Sequence, residues 1–318
     1  MKGLLIGLIC ALPVLAAIDG TVANKTTGSP QPNVILQLLQ PTQQGLQTIG
    51  TAKSDANGKF HFDQDPPGPK LVQAIYAGVL YTHMIPPGSP TSGIEVPIYD
   101  VTKDRSAAKL AEHMILLQPA GGELSVSETF IYQNDGTKTF NDGSAGSARF
   151  AALGTLKQSP SVAITPPGGM PINRPTEPDK AKNTYHVDYP VMPGETRFDV
   201  VYSLPAGDTI TLRNPDPTTP LNIVTPPAVT LSGDGIEAKG QEPRTQAHIY
   251  LATAPKVEAK IEGTGALKGD NSAPQEDTGQ PEALVAPARI YSRLPWVLGF
   301  TLGILALGGL VLFRKGSA

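Results

Sequence analysis

The amino-acid sequence predicts an all-β protein, two β-sandwich domains followed by one C-terminal transmembrane helix. Three observations predict it. Short runs of alternating apolar and polar residues recur between positions 18 and 261, bounded by Gly, Pro, Asn and Asp, the pattern of half-buried strands joined by tight turns. Gly 33 and Pro 32 among 318 residues make up roughly a fifth of the chain, too dispersed for collagen and suited to a turn-rich β protein. Last, residues 294–313 form a run of twenty residues without a charge, and at about 1.5 Å rise per residue such a run covers the roughly 30 Å hydrocarbon core of a bilayer.

The chain opens on Met1-Lys2, an apolar stretch over 3–14 and the small residues Ala16 and Ala17. This reads as a secretory signal over residues 1–17, because the apolar part is too short to span and small residues precede the expected cleavage. Cys10 is the sole cysteine, and Leu8-Ile9 before it lacks the small residue that lipid attachment expects. A mature chain without cysteine has no disulfide framework and no cysteine metal site, so the exported part must rely on core burial. The formal net charge is −3, with no basic stripe interleaved with aromatics, which argues against nucleic acid as a partner.

The first domain is expected over residues 18–102. Ile18-Asp19-Gly20-Thr21-Val22 starts a strand, residues 33–39 supply the next, and residues 26–30 connect them. Ser54-Asp55-Ala56-Asn57-Gly58 reads as a hairpin turn, since Asn-Gly tolerates the positive φ that such a turn needs. Beyond it Phe60 and Phe62 share one strand face and His61 the other. Pro66-Pro67-Gly68 breaks the chain before a strand over 70–81, and residues 93–100 form the last.

The order Gly20-x-Val22, Thr27-Gly28-x-Pro30 before a Val-containing strand, Ser54-Asp55-x-Asn57-Gly58-x-Phe60-x-Phe62 and Pro67-Gly68 before a strand resembles a carboxypeptidase regulatory-like domain. The resemblance covers about a quarter of the chain and rests on turn and core motifs. It implies a transthyretin-like (prealbumin-like) β-sandwich of Greek-key type, acting as a non-catalytic accessory module of an exported or surface protein. In metallocarboxypeptidases such a domain follows a zinc enzyme, but none of His61, His83, His113, His186 or His248 has Glu three positions later, as that family's metal pair needs.

Residues 103–109 read as the connection to a second β-sandwich over 103–261, expected to be immunoglobulin-like. Its strands are expected at 114–117, around Leu124 to Tyr132, at 185–189, 197–204, 209–212, 221–224, 229–231 and 247–251, with Asn134-Asp135-Gly136 as a hairpin turn into 137–140. The Pro- and Gly-rich stretch 143–182 reads as a long loop. Residues 262–293 lose β-branched and aromatic residues and are expected to form a flexible stalk.

The expected anchor begins at Leu294 and ends at Phe313. Twelve of its residues are Leu, Ile, Val or Phe, contributing on the order of −5 kcal/mol to insertion at about −0.3 to −0.6 kcal/mol each. Trp296 sits at the expected interface, and Arg314 and Lys315 open a cytoplasmic tail over 314–318, consistent with positive charge on the inner side. Gly299 and Gly303 form Gly-x-x-x-Gly, a spacing that lets two helices approach closely, although glycine is common in spans anyway.

No catalytic, cofactor-binding or metal-ligating residue is assigned. Gly143-Ser144-Ala145-Gly146-Ser147 lacks the spacing of a nucleophile elbow. His186 and Asp188 share a strand face, but zinc needs three or four ligands, so the pair reads as solvent-facing. Asp55-x-Asn57-Gly58 runs straight into a strand without the later acidic ligand of a calcium loop. Asn24-Lys25-Thr26 is a glycosylation sequon, relevant only in a eukaryotic secretory pathway. Tyr76, Tyr81, Tyr99 and Tyr202 are the aromatics left for a sugar platform. The reading is a non-catalytic accessory module, anchored in the lipid bilayer with its N-terminal side outside and contacting another envelope protein. A glycan-binding or adhesion module is the second reading, and a hydrolase of unrecognised geometry the third.

Overall fold

The computed structural model describes residues 17–267, apart from 144, 145, 157, 215 and 217. The expected signal stretch up to residue 16, nearly all of the expected stalk and the expected anchor positions Leu294, Trp296, Gly299, Gly303, Phe313, Arg314 and Lys315 lie outside the described residues. What is described belongs to one compact unit, Met1–Lys268, and contains two separate hydrophobic cores. No α-helix occurs among the described residues, where a 3-10 turn, Arg105–Ala107, is the helical element, and none of their helices is long and apolar enough to cross a membrane. The described residues are nearly all β, and their strands pack as sandwiches.

The first lobe contains β1 (Ile18–Asn24), β2 (Ser29–Pro30), β3 (Ile35–Thr42), β4 (Gly45–Lys53), β5 (Lys59–Phe62), β6 (Lys70–Tyr76), β7 (Val79–Ile85) and β8 (Ile94–Ile98). In one sheet β1 lies between β5, antiparallel, and β8, parallel, with β2 closing on its end. The other sheet runs β4-β3-β6-β7, all antiparallel. Alternation decides which side chains meet between the sheets. Ile18, Val22, Phe60, Phe62 and Val96 from the first sheet meet Leu36, Leu38, Val72, Ala74 and Tyr81 from the second, each large one contributing about 1.5–3 kcal/mol of burial.

Two connections differ from expectation. Residues 70–81 are not one strand but the start of the β6–β7 hairpin, which turns at Ala77 (φ 48°) and Gly78 (φ 77°). Ala is a poor signal for a left-handed residue, and this hid the turn. The turn at 55–58 is real, with Asp55 Oδ1 accepting the N–H groups of Asn57 and Lys59, each at 2.8 Å. It does not close a hairpin, however, because β4 and β5 belong to different sheets. Gly58 (φ 74°) passes so close to β1 that a Cβ there would lie 2.9 Å from the Val22 carbonyl oxygen.

The second lobe adds β9 (Val101–Thr102), β10 (Lys109–Ala120), β11 (Glu123–Asn134), β12 (Thr139–Phe140), β13 (Ala148–Ala151), β14 (Ser161–Thr165), β15 (Ile172–Arg174) and β16 (Glu177–Pro178). It continues with β17 (Thr184–Val187), β18 (Gly194–Pro205), β19 (Thr209–Arg213), β20 (Leu221–Thr225), β21 (Thr230–Ser232), β22 (Ile236–Gln241), β23 (His248–Ala252) and β24 (Lys256–Glu262). One eight-stranded sheet, β15-β14-β18-β11-β10-β20-β23-β22, shares its core with the three-stranded sheets β13-β17-β16 and β19-β24-β21. Phe130, Ile115, Val126, Phe198, Val200, Ile164 and Ile223 face inward from the large sheet, and Phe150, Val187, Leu212, Val257 and Ala259 come from the small ones.

Three expectations are corrected in this lobe. The stretch 143–182 is not one long loop, since it contributes β13 to β16, short strands whose partners lie far along the chain and so leave little local signature. Asn134-Asp135-Gly136 does not start a hairpin, because β12 pairs in parallel with β9 instead of returning along β11. Residues 263–267, at the start of the expected stalk, are tied to β10: the Gly265 N–H donates to the Pro119 carbonyl at 2.8 Å and the Leu267 N–H to Gln118 Oε1 at 2.9 Å.

The lobes are joined by specific polar contacts in addition to the β9–β12 pairing. Tyr81 Oη donates to the Tyr99 carbonyl at 2.8 Å and shares a hydrogen bond of 2.9 Å with Thr139 Oγ1. Thr26 Oγ1 donates to the Thr137 carbonyl and accepts from the Asp100 N–H. Asn24, the sequon asparagine, is buried beside this contact with its amide donating to Asp100 and Gln31, so the folded chain does not present it for glycosylation.

Candidate functional site

The outward face of the sheet β4-β3-β6-β7 follows from strand register. Because Leu36, Leu38, Val72, Ala74 and Tyr81 point inward, their neighbours must point out. Ile35, Ile75 and Leu80 stand in one row across β3, β6 and β7; Gln37, Gln73 and Thr82 form the next; Leu39, Leu71 and Met84 form the third, in which Leu39 is buried beside a register shift in the β3–β4 pairing. None of these nine residues is charged. Ile35 is 53% exposed, Leu80 and Met84 are each 44% exposed, and Leu46 at the tip of the β3–β4 hairpin is 59% exposed. On β4 the same face carries a charge, exposed Lys53, directly across from Ile35; scattered exposed apolar residues are ordinary, but several grouped across β3, β6 and β7 with that charge at the edge have the composition of an interaction surface. Gln73 Nε2 donates to Thr82 Oγ1 at 3.0 Å, stiffening the polar row between the two apolar ones.

A second feature is buried. Register places His113, Glu128 and Tyr202 on the inward face of β10, β11 and β18. His113 Nε2 lies 3.2 Å from Glu128 Oε2, Tyr202 Oη donates to Glu128 Oε1, and the Leu153 N–H donates to Tyr202 Oη at 3.2 Å. The His113 ring stacks on Phe130 with centroids 4.3 Å apart, and its Nδ1 has no hydrogen-bond partner among the described residues. His113 is 1% exposed and Glu128 2%. Burial, reinforced by the neighbouring Glu128 charge, pushes the Tyr202 phenol far above the ordinary tyrosine range, so it stays a proton donor and holds the carboxylate. Enclosed this way the chain of groups has no route to a substrate, and its work is structural: it fixes residue 153 against the large sheet.

His186 stands at the rim of the same lobe. It is half-buried, not solvent-facing as the sequence suggests, with Nε2 3.6 Å from Glu177 Oε2 and Nδ1 3.1 Å from Asp179 Oδ1. The second contact is an ion-pair distance without hydrogen-bond alignment. The carboxylates sit at opposite ring nitrogens and cannot converge on one ion, and Asp188 falls beyond the end of β17. Among the described residues no group of three or more His, Cys, Asp or Glu side chains is arranged to hold a metal. Ser147 is buried, its Oγ donating to the Tyr189 carbonyl and accepting from the Tyr189 N–H at 2.9 Å, which makes it a loop clasp. Of the four tyrosines available for a sugar platform, Tyr81 and Tyr202 are core residues, while Tyr76 and Tyr99 are half-buried.

Polar side chains line grooves at two places on the surface of the described residues. One, of about 440 Å³, lies beside the lobe connection between Asp104, Lys109, Asp135 and Lys138, with charges of both signs. The other, of about 420 Å³, lies between residues 151–154, the turn 181–184 and β19.

No family model matches the chain, and no curated protein matches it. Among solved structures, an M1 zinc metallopeptidase from Deinococcus radiodurans aligns over 48% of this chain and 42% of its own, with 13% identity and a TM-score of 0.27. The chain thus spans less than half of that protein. BcpA, the major pilin subunit of Bacillus cereus, aligns over 79% of this chain and 88% of its own, with 12% identity and a TM-score of 0.20. Similarity at this level assigns neither an activity nor a partner.

Proposed function

We propose that this chain is a non-catalytic, extracytoplasmic accessory module, held to the membrane by the apolar run 294–313 and contacting another envelope protein through its first lobe. The observation that carries the reading is the outward face of β3, β6 and β7, whose nine paired positions carry no charge, with Ile35, Leu80 and Met84 exposed on it and Lys53 of β4 at its edge. Apolar side chains that leave water on association supply the driving force, and the Gln37, Gln73 and Thr82 row supplies the hydrogen bonds that fix orientation. The proposal includes a carboxypeptidase regulatory-like first lobe, supported by its two four-stranded sheets and by Phe60 and Phe62 meeting in its core, and an immunoglobulin-type second lobe with an extended sheet. Glycan binding through an aromatic platform is the weaker reading, because Tyr81 and Tyr202 are enclosed.

The test is a photo-crosslinker placed at residue 80 or 84 in the native membrane, compared with one at exposed Lys239. One envelope protein captured from both face positions and not from 239 supports the reading. Capture independent of position contradicts it.

A further inference from the structure

The groove between residues 151–154, the turn 181–184 and β19 contains two cations, Lys182 and Arg213, with Asn183, Thr184 and Thr211 and no carboxylate among its lining residues. Among the described residues neither cation has a side-chain partner: the acidic neighbours are engaged elsewhere. Glu258, cross-strand from Thr211, is 3.3 Å from Lys256, and Asp179, at the base of the turn, contacts Arg149 and His186. Two unpaired cations facing a concave, hydroxyl-lined space favour a negative ligand.

The walls are fixed before any ligand arrives. The Ala152 N–H donates to the Asn183 carbonyl at 2.8 Å, tying one wall to the other, and the Asp179 N–H donates to the Thr184 carbonyl at 2.8 Å, closing the turn. Asn183 is in the left-handed region, φ 59°, the conformation that Asn tolerates best after Gly. Leu153 is held from behind by the buried Tyr202, Glu128 and His113 chain. A buried ionisable network seldom adds stability by itself, and holding this wall is a use for it. Preorganised walls lower the ordering cost of binding.

We infer that this groove binds a small oxyanion carried on a hydroxylated scaffold, a sugar acid, with Lys182 and Arg213 taking the carboxylate and Asn183, Thr184 and Thr211 the hydroxyls. The inference is independent of the docking role proposed for the first lobe. A pocket of about 420 Å³ admits one or two sugar units, consistent with ordinary small-ligand sites of roughly 300–1,000 Å³.

The test is a saturation-transfer NMR titration of the full chain in detergent with glucuronate, glucose and inorganic phosphate. Glucuronate should bind saturably with a Kd on the order of 1 mM, weakening as salt is raised. Lys182→Ala and Arg213→Ala, both exposed and so without cost to folding, should each raise the Kd about 10-fold, the loss expected for a charge-assisted hydrogen bond, while Lys239→Ala should leave it unchanged. Glucose binding as tightly as glucuronate would overturn the anion site, phosphate binding as tightly would overturn the sugar-acid assignment, and glucuronate binding unaffected by either groove substitution would overturn the location.

Discussion

Replacing Glu128 by Ala should be among the most damaging single changes in the second lobe. Glu128 accepts from Tyr202 Oη and lies 3.2 Å from His113 Nε2, with all three side chains inside the core. Its removal leaves two buried polar groups without their partner and a cavity where the carboxylate stood. Each of the two orphaned groups costs about 1–3 kcal/mol, so we expect a loss of about 2–6 kcal/mol. The concerted change His113→Leu, Glu128→Met and Tyr202→Phe removes the whole polar set instead. Apolar replacement of such networks is often neutral, and the remaining penalty is the Leu153 N–H, which loses its acceptor, about 1–3 kcal/mol. Urea unfolding of the chain in detergent, followed by far-ultraviolet circular dichroism, measures both. A Glu128→Ala cost below about 1 kcal/mol, or a triple variant worse than the single one, would refute the reasoning.

Gly20→Ala should prevent closure of the first lobe, since a Cβ there would lie 2.1 Å from the Ile94 carbonyl oxygen and 2.7 Å from Phe60 Cζ. Backbone cannot yield as a flexible side chain can, so the variant should lose the protease resistance of residues 18–98. Tyr81 gives an alkaline prediction. Burial, the largest influence, pushes its phenol from the ordinary 10.0 up to about 12. The unfolded chain therefore loses this proton first, and the stabilisation is complete below pH 10 and lost as pH rises through about 12. The melting temperature should fall across that window, and Tyr81→Phe should flatten the fall. At the acid end, Glu242 is held below the ordinary carboxylate range by the N–H and hydroxyl of Thr245 and the N–H of Arg244. Its folded pKa is depressed, so the 242–247 turn should stay closed above pH 4.5 and open as pH drops through the folded value; hydrogen exchange at Thr245 reads this directly.

The sequence made the first lobe legible because its strands carry local signatures. Phe60 and Phe62 alternate with His61, and Asp55 with Gly58 marks a turn, so short-range rules locate both elements. What those rules cannot supply is the partner: β5 joins β1 and not its neighbour in sequence, β4. The same limit explains the misread 143–182 stretch, where β14 is recognised only through its pairing with β18. The buried chain of His113, Glu128 and Tyr202 escaped for a related reason. Glu128 sits in a β11 position that alternation marks as inward, and that inward acid was the available signal, but its partners lie 15 and 74 residues away. The groove with Lys182 and Arg213 likewise needs the turn before β17 brought against β19, which no spacing in the chain foretells. The docking face was readable in principle, since Ile35 and Gln37 alternate with the core residues Leu36 and Leu38, yet a run apolar on both faces reads equally as a strand buried on both sides.

The proposed docking of another protein on the outward face of β4-β3-β6-β7 is open to direct test. The most direct measurement is photo-crosslinking in the native membrane from residue 84, with and without Ile35→Lys and Leu80→Lys on the same face. One reproducible crosslinked envelope protein is expected, at least 10-fold less abundant in the lysine variants because each buries an unpaired charge worth about 2 kcal/mol or more. The same product at undiminished yield with both lysines in place would contradict this docking.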